Sequence, residues 1–303
     1  MLQCDTYVVP KTLGEAFDAM ARHGAACRLL GGATDILPHA RKERREDAHI
    51  PCVIDLSRVP QMRAVSLEAG RLVLGGGVPF QRFLDQEILV KNAAVMGACA
   101  AWFADAQIRE QATIGGNIVN ASPAADGVPP LLALNAEVVL HRRVGGNILE
   151  RTVALADFVT GPGKTLIGAD EILTTVRVDA LPGYGAAFEK VGRRRSLVIS
   201  TVCLAAAVEL DPSGTVIADA RLALGGVGPV AARLDECEAM LIGETVTAQL
   251  IEAVAQKPVE RVASRTRRAY RRDVVRGFVM RALYGALENA GWAQDVPLRT
   301  ETS

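Results

Sequence analysis

An α+β fold built from more than one unit is what this chain predicts. Helical and strand periodicities alternate irregularly up to about residue 180, strand-like runs separated by turn residues occupy 186–224, and three helix-like runs follow. With 303 residues, half of them apolar, the chain is long enough for about two domains and a sizeable core.

Residues 12–23 place Leu13, Ala16, Phe17 and Met20 on one helical face, with Thr12 and Glu15 as a capping box and Gly24 as the stop. Residues 27–30 read as a short buried strand running into Gly31-Gly32-Ala33-Thr34-Asp35, 41–47 as a solvated charged loop, and 52–56 as a second strand. These make a β-α-β-type unit over 1–58. Across 59–180 the pattern predicts strands at 64–66, 72–74, 137–141, 151–154 and 172–178, and helices at 79–85, 93–103 and 131–134. Leu181-Pro182-Gly183 marks the boundary with a third unit, 181–303. There, strands at 186–191, 202–210 and 216–224 predict a three-stranded antiparallel meander, with Asp211-Pro212-Ser213-Gly214 as its clearest turn, and helices follow at 231–241, 247–255 and 270–289.

Lys+Arg and Asp+Glu both total 34, so no long-range attraction to nucleic acid or to an anionic membrane is expected. Charge interrupts every long apolar stretch before the roughly 20 residues that a membrane-spanning helix needs. The first residues lack a basic start followed by an apolar run, so the expectation is a cytoplasmic protein with no membrane insertion. Six cysteines, at 4, 27, 52, 99, 203 and 237, are too far apart for a C-x-x-C site or an iron–sulfur cluster and are expected to be buried free thiols. Four histidines without an H-x-x-x-H pair give no zinc motif, and no metal site is expected.

Two glycine pairs carry the functional signal. Gly31-Gly32 at the end of a strand brings backbone N–H groups close to a ligand with no Cβ in the way, and Thr34 and Asp35 follow. The spacing is neither G-x-G-x-x-G nor a P-loop. Thr113-Ile114-Gly115-Gly116-Asn117 is expected to be a second turn of exposed backbone, with Asp126 nine residues beyond Asn117. Two such turns and a following acid suit a long dinucleotide: amides for its pyrophosphate, a carboxylate for sugar or ring N–H groups.

The runs 28–35 and 112–126, with Thr-Ile-Gly-Gly-Asn and Ser-Pro-Ala-Ala-Asp, closely resemble the FAD-binding medium subunit of the molybdenum hydroxylases, the xanthine dehydrogenase and carbon monoxide dehydrogenase family. Gly161-Pro162-Gly163-Lys164, Asp170-Glu171-Ile172-Leu173, Leu224-Gly225-Gly226-Val227-Gly228-Pro229, Tyr270-Arg271-Arg272 and Arg281-Ala282-Leu283 match it in the same order. The resemblance implies a two-lobed vanillyl-alcohol-oxidase-like (PCMH-type) FAD-binding fold, with lobes 1–58 and 59–180. After it, 181–303 would be a CO dehydrogenase flavoprotein C-terminal-like domain of a three-stranded antiparallel sheet and a three-helix bundle.

For the site, the resemblance implies a first FAD loop over Arg28, Leu29, Leu30, Gly31, Gly32, Ala33, Thr34 and Asp35. Thr113, Ile114, Gly115, Gly116 and Asn117 would form the second, with Thr113 and Asn117 on the diphosphate and ribityl chain. Phe103 would pack on the cofactor, Asp126 would face its polar atoms, Leu173 would lie against the flavin ring and Lys190 at its pyrimidine or adenine edge. Taken alone, Phe103 and Leu173 read as ordinary core and Lys190 as a surface lysine. By the same resemblance, molybdopterin would lie on a large partner subunit and two [2Fe–2S] clusters on a small one. Electrons would pass through FAD to NAD+, O2, a quinone or another terminal acceptor, while the large subunit hydroxylates a purine or other N-heterocycle, an aldehyde or CO. No residue of this chain is expected to be catalytic for the hydroxylation. Where many members have an acid, this chain has Val198, which cannot pair with Arg193, Arg194 or Arg195; the extra four-cysteine cluster of the 4-hydroxybenzoyl-CoA reductase branch is missing. The alternatives are a self-sufficient FAD-dependent oxidase or dehydrogenase and a flavin-binding assembly or scaffold protein. The arginines at 261, 265, 267, 268, 271 and 272 are expected to form a solvated face or to dock an acidic partner.

Overall fold

A computed structural model describes residues 2–41, 49–194, 197–263 and 266–293. Strands β1 (Gln3–Val8) and β2 (Cys27–Leu30) both pair in parallel with β3 (His49–Asp55), in the order β1-β3-β2. Strand β1 is absent from the sequence expectations because it is an exposed edge whose side chains show no apolar alternation. Helix α1 (Leu13–His23) buries Ala16, Phe17, Ala19 and Met20 in one cluster with Cys52 and Ile54 of β3. Thr12 Oγ1 accepts from Glu15 N at 3.1 Å as the capping box predicts, but the Glu15 carboxylate reaches past Thr12 and accepts from Lys11 N at 2.7 Å. Helix α2 (Ile36–Arg41) follows the first glycine pair. The charged loop expected at 41–47 lies, beyond Arg41, outside the described residues.

A five-stranded antiparallel sheet follows. It begins with β4 (Val65–Glu68) and β5 (Arg71–Gly75). A helical excursion then runs through α3 (Arg82–Asp85), α4 (Glu87–Asn92), α5 (Ala94–Trp102), α6 (Ala106–Gln111), α7 (Ile114–Asn120) and α8 (Val128–Ala133). The chain returns through the hairpin β6 (Glu137–Val144) and β7 (Asn147–Ala154), whose Gly145 and Gly146 turn at φ 55° and 86°. Helix α9 (Leu155–Phe158), the ribbon of β8 (Val159–Gly161) with β9 (Lys164–Thr165), and β10 (Glu171–Asp179) complete the unit. The strand order is β4-β5-β10-β6-β7.

The last sheet has four strands, not three: β11 (Gly185–Val191), β12 (Val202–Leu210), β13 (Ile217–Gly225) and the two-residue edge β14 (Ala232–Arg233). The helix expected from 231 begins instead at Asp235, as α10 (Asp235–Leu241), because 232–233 pair with Ala223 and Leu224 while Asp235, Glu236 and Glu238 suit a helix N-terminus. Helices α11 (Ala248–Gln256) and α12 (Arg268–Asn289) follow.

Strand β12 explains how this sheet sits on the rest. Val202, Leu204, Ala206 and Val208 face one core with α12, while Cys203, Ala205 and Ala207 face the core that holds α5 and α8. Buried on both faces, the strand is a continuous apolar run, and its small residues let helices approach on each side. The same core therefore extends across the boundary expected near 181. Four cysteines are buried as expected, but Cys4 is exposed and Cys27 half-buried; all six are free. Among the described residues no helix is long and apolar enough to cross a membrane. The arginines do not form a simple solvated face: Arg271 donates to the carbonyls of Thr201 and Gly226, and Arg272 pairs with Glu260 at 2.9 Å. Arg265 lies outside the described residues.

Candidate functional site

The end of β2 and the start of α7 meet at a cleft of about 720 Å³. Gly31 and Gly32 make that meeting possible. A Cβ on Gly31 would stand 2.5 Å from Thr113 Oγ1, and one on Gly32 only 1.6 Å from the Gln111 carbonyl oxygen. The two glycine segments are thus one wall, folded face to face. Within the first, Ala33 sits at φ 59°, a left-handed conformation that costs an alanine about 1 kcal/mol and is held by its surroundings. Among the described residues, no acceptor takes the amide protons of Gly31, Gly32, Ala33, Thr34 or Asp35. Five donors along one turn make an anion cradle.

The second glycine pair is not the exposed turn that was expected. Gly115 and Gly116 lie in the first turn of α7, capped by Thr113, whose Oγ1 accepts from Gly116 N at 3.1 Å. Ile114 N donates to Val78 O and Gly115 N to Gly76 O, so these amides dock the helix on the end of β5 instead of facing a ligand. A Cβ on Gly115 would stand 2.6 Å from Gly76 O, which is why glycine is needed there. Asn117 keeps a free group: its buried Oδ1 has no hydrogen-bond partner among the described residues.

Phe103 lines the cleft with its ring stacked on buried Phe80, centroids 4.0 Å apart and planes 10° from parallel. Such a backed ring presents a fixed aromatic face. Opposite elements supply Ile172 and Leu173 from the start of β10, where the ladder with β6 shifts register between Leu173 and Thr175. Gly76 fits into that irregularity, its amide donating to Thr174 O at 2.7 Å.

Of the expected site residues, 28–35, Phe103, Thr113, Gly115, Gly116, Asn117 and Leu173 all line the cleft. Ile114 is fully buried in the core behind it. Asp126 and Lys190 do not line it; they face each other in the interior, Lys190 Nζ 2.5 Å from Asp126 Oδ2. Lys190 is no surface lysine, since only 6% of its side chain is exposed. Burial pushes the Asp126 carboxyl above its ordinary value, against the pull of Lys190 and Ser200. Val198 packs on Gly192, and Arg194 donates to the Leu197 carbonyl; Arg195 lies outside the described residues.

Among the lining residues that were not expected, two features stand out. Gly76 belongs to Gly75-Gly76-Gly77, a third glycine run after an apolar strand that the sequence displays openly. The other is the loop 167–171, whose carboxylate Glu171 is clamped by Arg151 at 2.6 and 2.7 Å and by Gly168 N at 2.7 Å. The Arg151 hydrogen bonds hold the Glu171 pKa below its ordinary value of 4.5. A carboxyl lowered in the fold stabilises above that value and loses its contribution as pH falls through its folded pKa. Glu171→Gln is therefore expected to lower the melting temperature at neutral pH, with the difference from wild type closing as the pH is taken into the acid range. An equal difference at both pH values would refute this account.

The family model for the FAD binding domain in molybdopterin dehydrogenase matches residues 2–180, and that for the CO dehydrogenase flavoprotein C-terminal domain matches 186–286. The chain is 29% identical to the carbon monoxide dehydrogenase medium chain of Hydrogenophaga pseudoflava, covering 95% of this chain and 97% of that one. It is 30% identical to the xanthine dehydrogenase FAD-binding subunit of Escherichia coli O157:H7, over 88% of this chain and 89% of the other. Among solved structures, a chain of the Hydrogenophaga pseudoflava carbon monoxide dehydrogenase that lacks the Mo-pyranopterin moiety superposes with a TM-score of 0.84, at 27% identity, covering 95% of this chain and 99% of that one. This chain belongs to the family of FAD-binding subunits of the molybdopterin dehydrogenases.

Proposed function

We propose that this chain is the electron-transfer subunit of a cytoplasmic multi-subunit molybdenum hydroxylase, holding FAD in the cleft between β2 and α7. The observation that carries the reading is the unspent amide run of 31–35, closed against Thr113 and Gln111 where no Cβ fits. The cleft falls within the roughly 300–1,000 Å³ typical of ligand sites. Bound FAD would let one-electron donors and a two-electron acceptor exchange electrons; orienting and tuning it is the task of the protein. The loop 31–35 binds the diphosphate, Thr113 fixes the loop, Asn117 offers its Oδ1 to a hydroxyl of the ribityl chain, and Phe103 and Leu173 wall off the ring. Lys190 and Asp126 form a buried pair that ties the segment after α7 to β11.

In this reading, 1–58 and 59–180 are the two lobes of the vanillyl-alcohol-oxidase-like FAD fold and 181–303 is the C-terminal domain. Separate parallel and antiparallel sheets and the break between the two family models support that division. Molybdopterin and two [2Fe–2S] clusters belong to large and small partner subunits, a reading supported by the match to the FAD binding domain in molybdopterin dehydrogenase and the likeness to the carbon monoxide dehydrogenase medium chain. The substrate is then chosen by the large subunit; a purine or another N-heterocycle is our reading, supported by the likeness to a xanthine dehydrogenase subunit. The terminal acceptor is a small molecule such as NAD+, O2 or a quinone.

The test is reconstitution. The purified chain, stripped of any chromophore and offered FAD, is expected to take up one equivalent, quench its fluorescence and show no hydroxylation by itself. A chain that takes up no FAD would overturn the reading.

A further inference from the structure

Residues 120–127 run from the edge of the cofactor cleft to a second cavity. Asn120 lines the cofactor cleft, whereas Ser122, Pro123 and Ala124 line a second cavity of about 430 Å³. The backbone of this segment is pinned at several points: Gly163 N donates to Ala121 O at 2.9 Å, Gly226 N to Pro123 O at 2.9 Å, and Cys99 Sγ to Asp126 O at 3.3 Å. Ala121 is held at φ 47°, which an alanine adopts only where its surroundings impose it.

The Asp126 carboxylate is the remaining tie, and its two oxygens go to different elements. Lys190 on β11 serves Oδ2, while the hydroxyl of Ser200, in the segment before β12, donates to Oδ1 at 2.5 Å. The other groups facing this carboxylate are the thiols of Cys99 on α5 and Cys203 on β12, both fully buried, with burial pushing their pKa well up. They are neutral and supply no charge. Among the described residues Ser200 is thus the sole hydrogen-bond donor to Oδ1; it is 5% exposed and lines the second cavity.

We propose that Ser200 is a positioning residue for the cofactor: its hydroxyl keeps Asp126 ionised and paired with Lys190, and so holds the 120–127 segment in the shape the cleft requires. Without that hydroxyl a buried carboxylate oxygen is left bare, and protonation relieves it. Neutral Asp126 then leaves the Lys190 ammonium buried without its counter-charge, and the tie between the segment and β11 slackens. The inference rests on the FAD reading above.

The test is FAD titration of the stripped full chain as wild type, Ser200→Ala and Ser200→Thr between about pH 5 and 8, with the melting temperature of each apoprotein. Ser200→Ala is expected to weaken binding about tenfold near neutrality, the worth of one hydrogen bond to a buried charge. Its binding should also fall away on acidification at a higher pH than in wild type, and Ser200→Thr should restore both. Wild-type affinity and pH midpoint in Ser200→Ala would overturn the proposal. Weaker binding with an unmoved midpoint would also overturn it, showing only a packing defect. Asp126→Asn, of the same shape and permanently neutral, should bind FAD as weakly as Ser200→Ala does in acid; tight binding by it overturns the proposal even if Ser200→Ala does not fold. A wild-type chain that takes up no FAD at all would instead sink the reading of the cleft.

Discussion

Gly32→Ala is expected to purify without flavin and to bind added FAD at least a hundredfold more weakly than wild type, a loss of about 2.7 kcal/mol. The cause is backbone against backbone. A Cβ at residue 32 would lie 1.6 Å from Gln111 O and 2.4 Å from the Gln111 carbonyl carbon, and neither can swing aside like the tip of a side chain. Relief requires the 31–35 loop to lift off the segment before α7, which opens the cradle at the point where its two halves touch. Forcing one methyl into a close-packed site costs about 1–3 kcal/mol, and more where backbone must move. Gly32→Asp would add a negative charge beside the diphosphate, so only the alanine variant isolates the steric term. Gly277→Ala is the matched control: apart from its chain neighbours and its own helix backbone nothing lies within 4 Å of its Cβ, its φ is ordinary, and in the middle of α12 alanine gains about 1 kcal/mol of helix propensity. Absorbance of the purified variants and a fluorescence titration read both. Stoichiometric flavin in Gly32→Ala would show that the two segments are not the cofactor wall.

The two glycine pairs show how far the site was legible in the residues. Glycine pairs announce backbone that must come close to something; the first pair does follow a strand as expected, whereas the second opens a helix. What each glycine touches is a tertiary fact. Among the described residues Gly31 and Gly32 leave their amides without an acceptor, whereas Gly115 and Gly116 spend theirs on Gly76 and on the Thr113 cap, so the second pair is a helix start. The Thr-x-x-Gly spacing, with helix-compatible residues after it, was the available sign of an N-cap.

Burial on two faces was similarly legible in β12, where Val202 to Val208 is an unbroken apolar run, and the meander around it follows. Strands β1 and β14 were not legible, because an exposed edge strand and a two-residue strand carry almost no periodicity. Glu171 stood in a motif matching the family but with no role assigned to it, and Ser200 had no role assigned either. Their roles depend on partners far away in the chain, Arg151 on the neighbouring hairpin and Asp126 in the 120–127 segment, and such pairings appear only when the sheets are assembled. Lys190 shows the same limit in reverse: a lysine in a strand defaults to solvent, and only the carboxylate opposite keeps it inside.

Lys190→Met should produce the largest loss of stability. Removing one partner of a buried ion pair typically costs about 3–5 kcal/mol, because the remaining charge has neither water nor counter-charge. Here the remaining charge can be discharged, and that gives the loss a pH dependence. Burial already raises the Asp126 pKa above its ordinary 3.8, with Lys190 the first of the opposing influences. Without Lys190 the folded value climbs further, while the unfolded value stays where it was. A carboxyl with a raised folded pKa binds more protons folded than unfolded. Its fold is therefore most stable below the unfolded pKa and loses stability as pH rises through the folded one. Urea unfolding of Lys190→Met should accordingly show its greatest deficit near pH 8 and a smaller one near pH 5, where Asp126 accepts its proton. Adding Asp126→Asn to Lys190→Met should flatten the profile and recover part of the deficit at the alkaline end. If the single variant lost the same free energy at both pH values, Asp126 would not be ionised in the native chain, and the buried pair would be a neutral hydrogen bond.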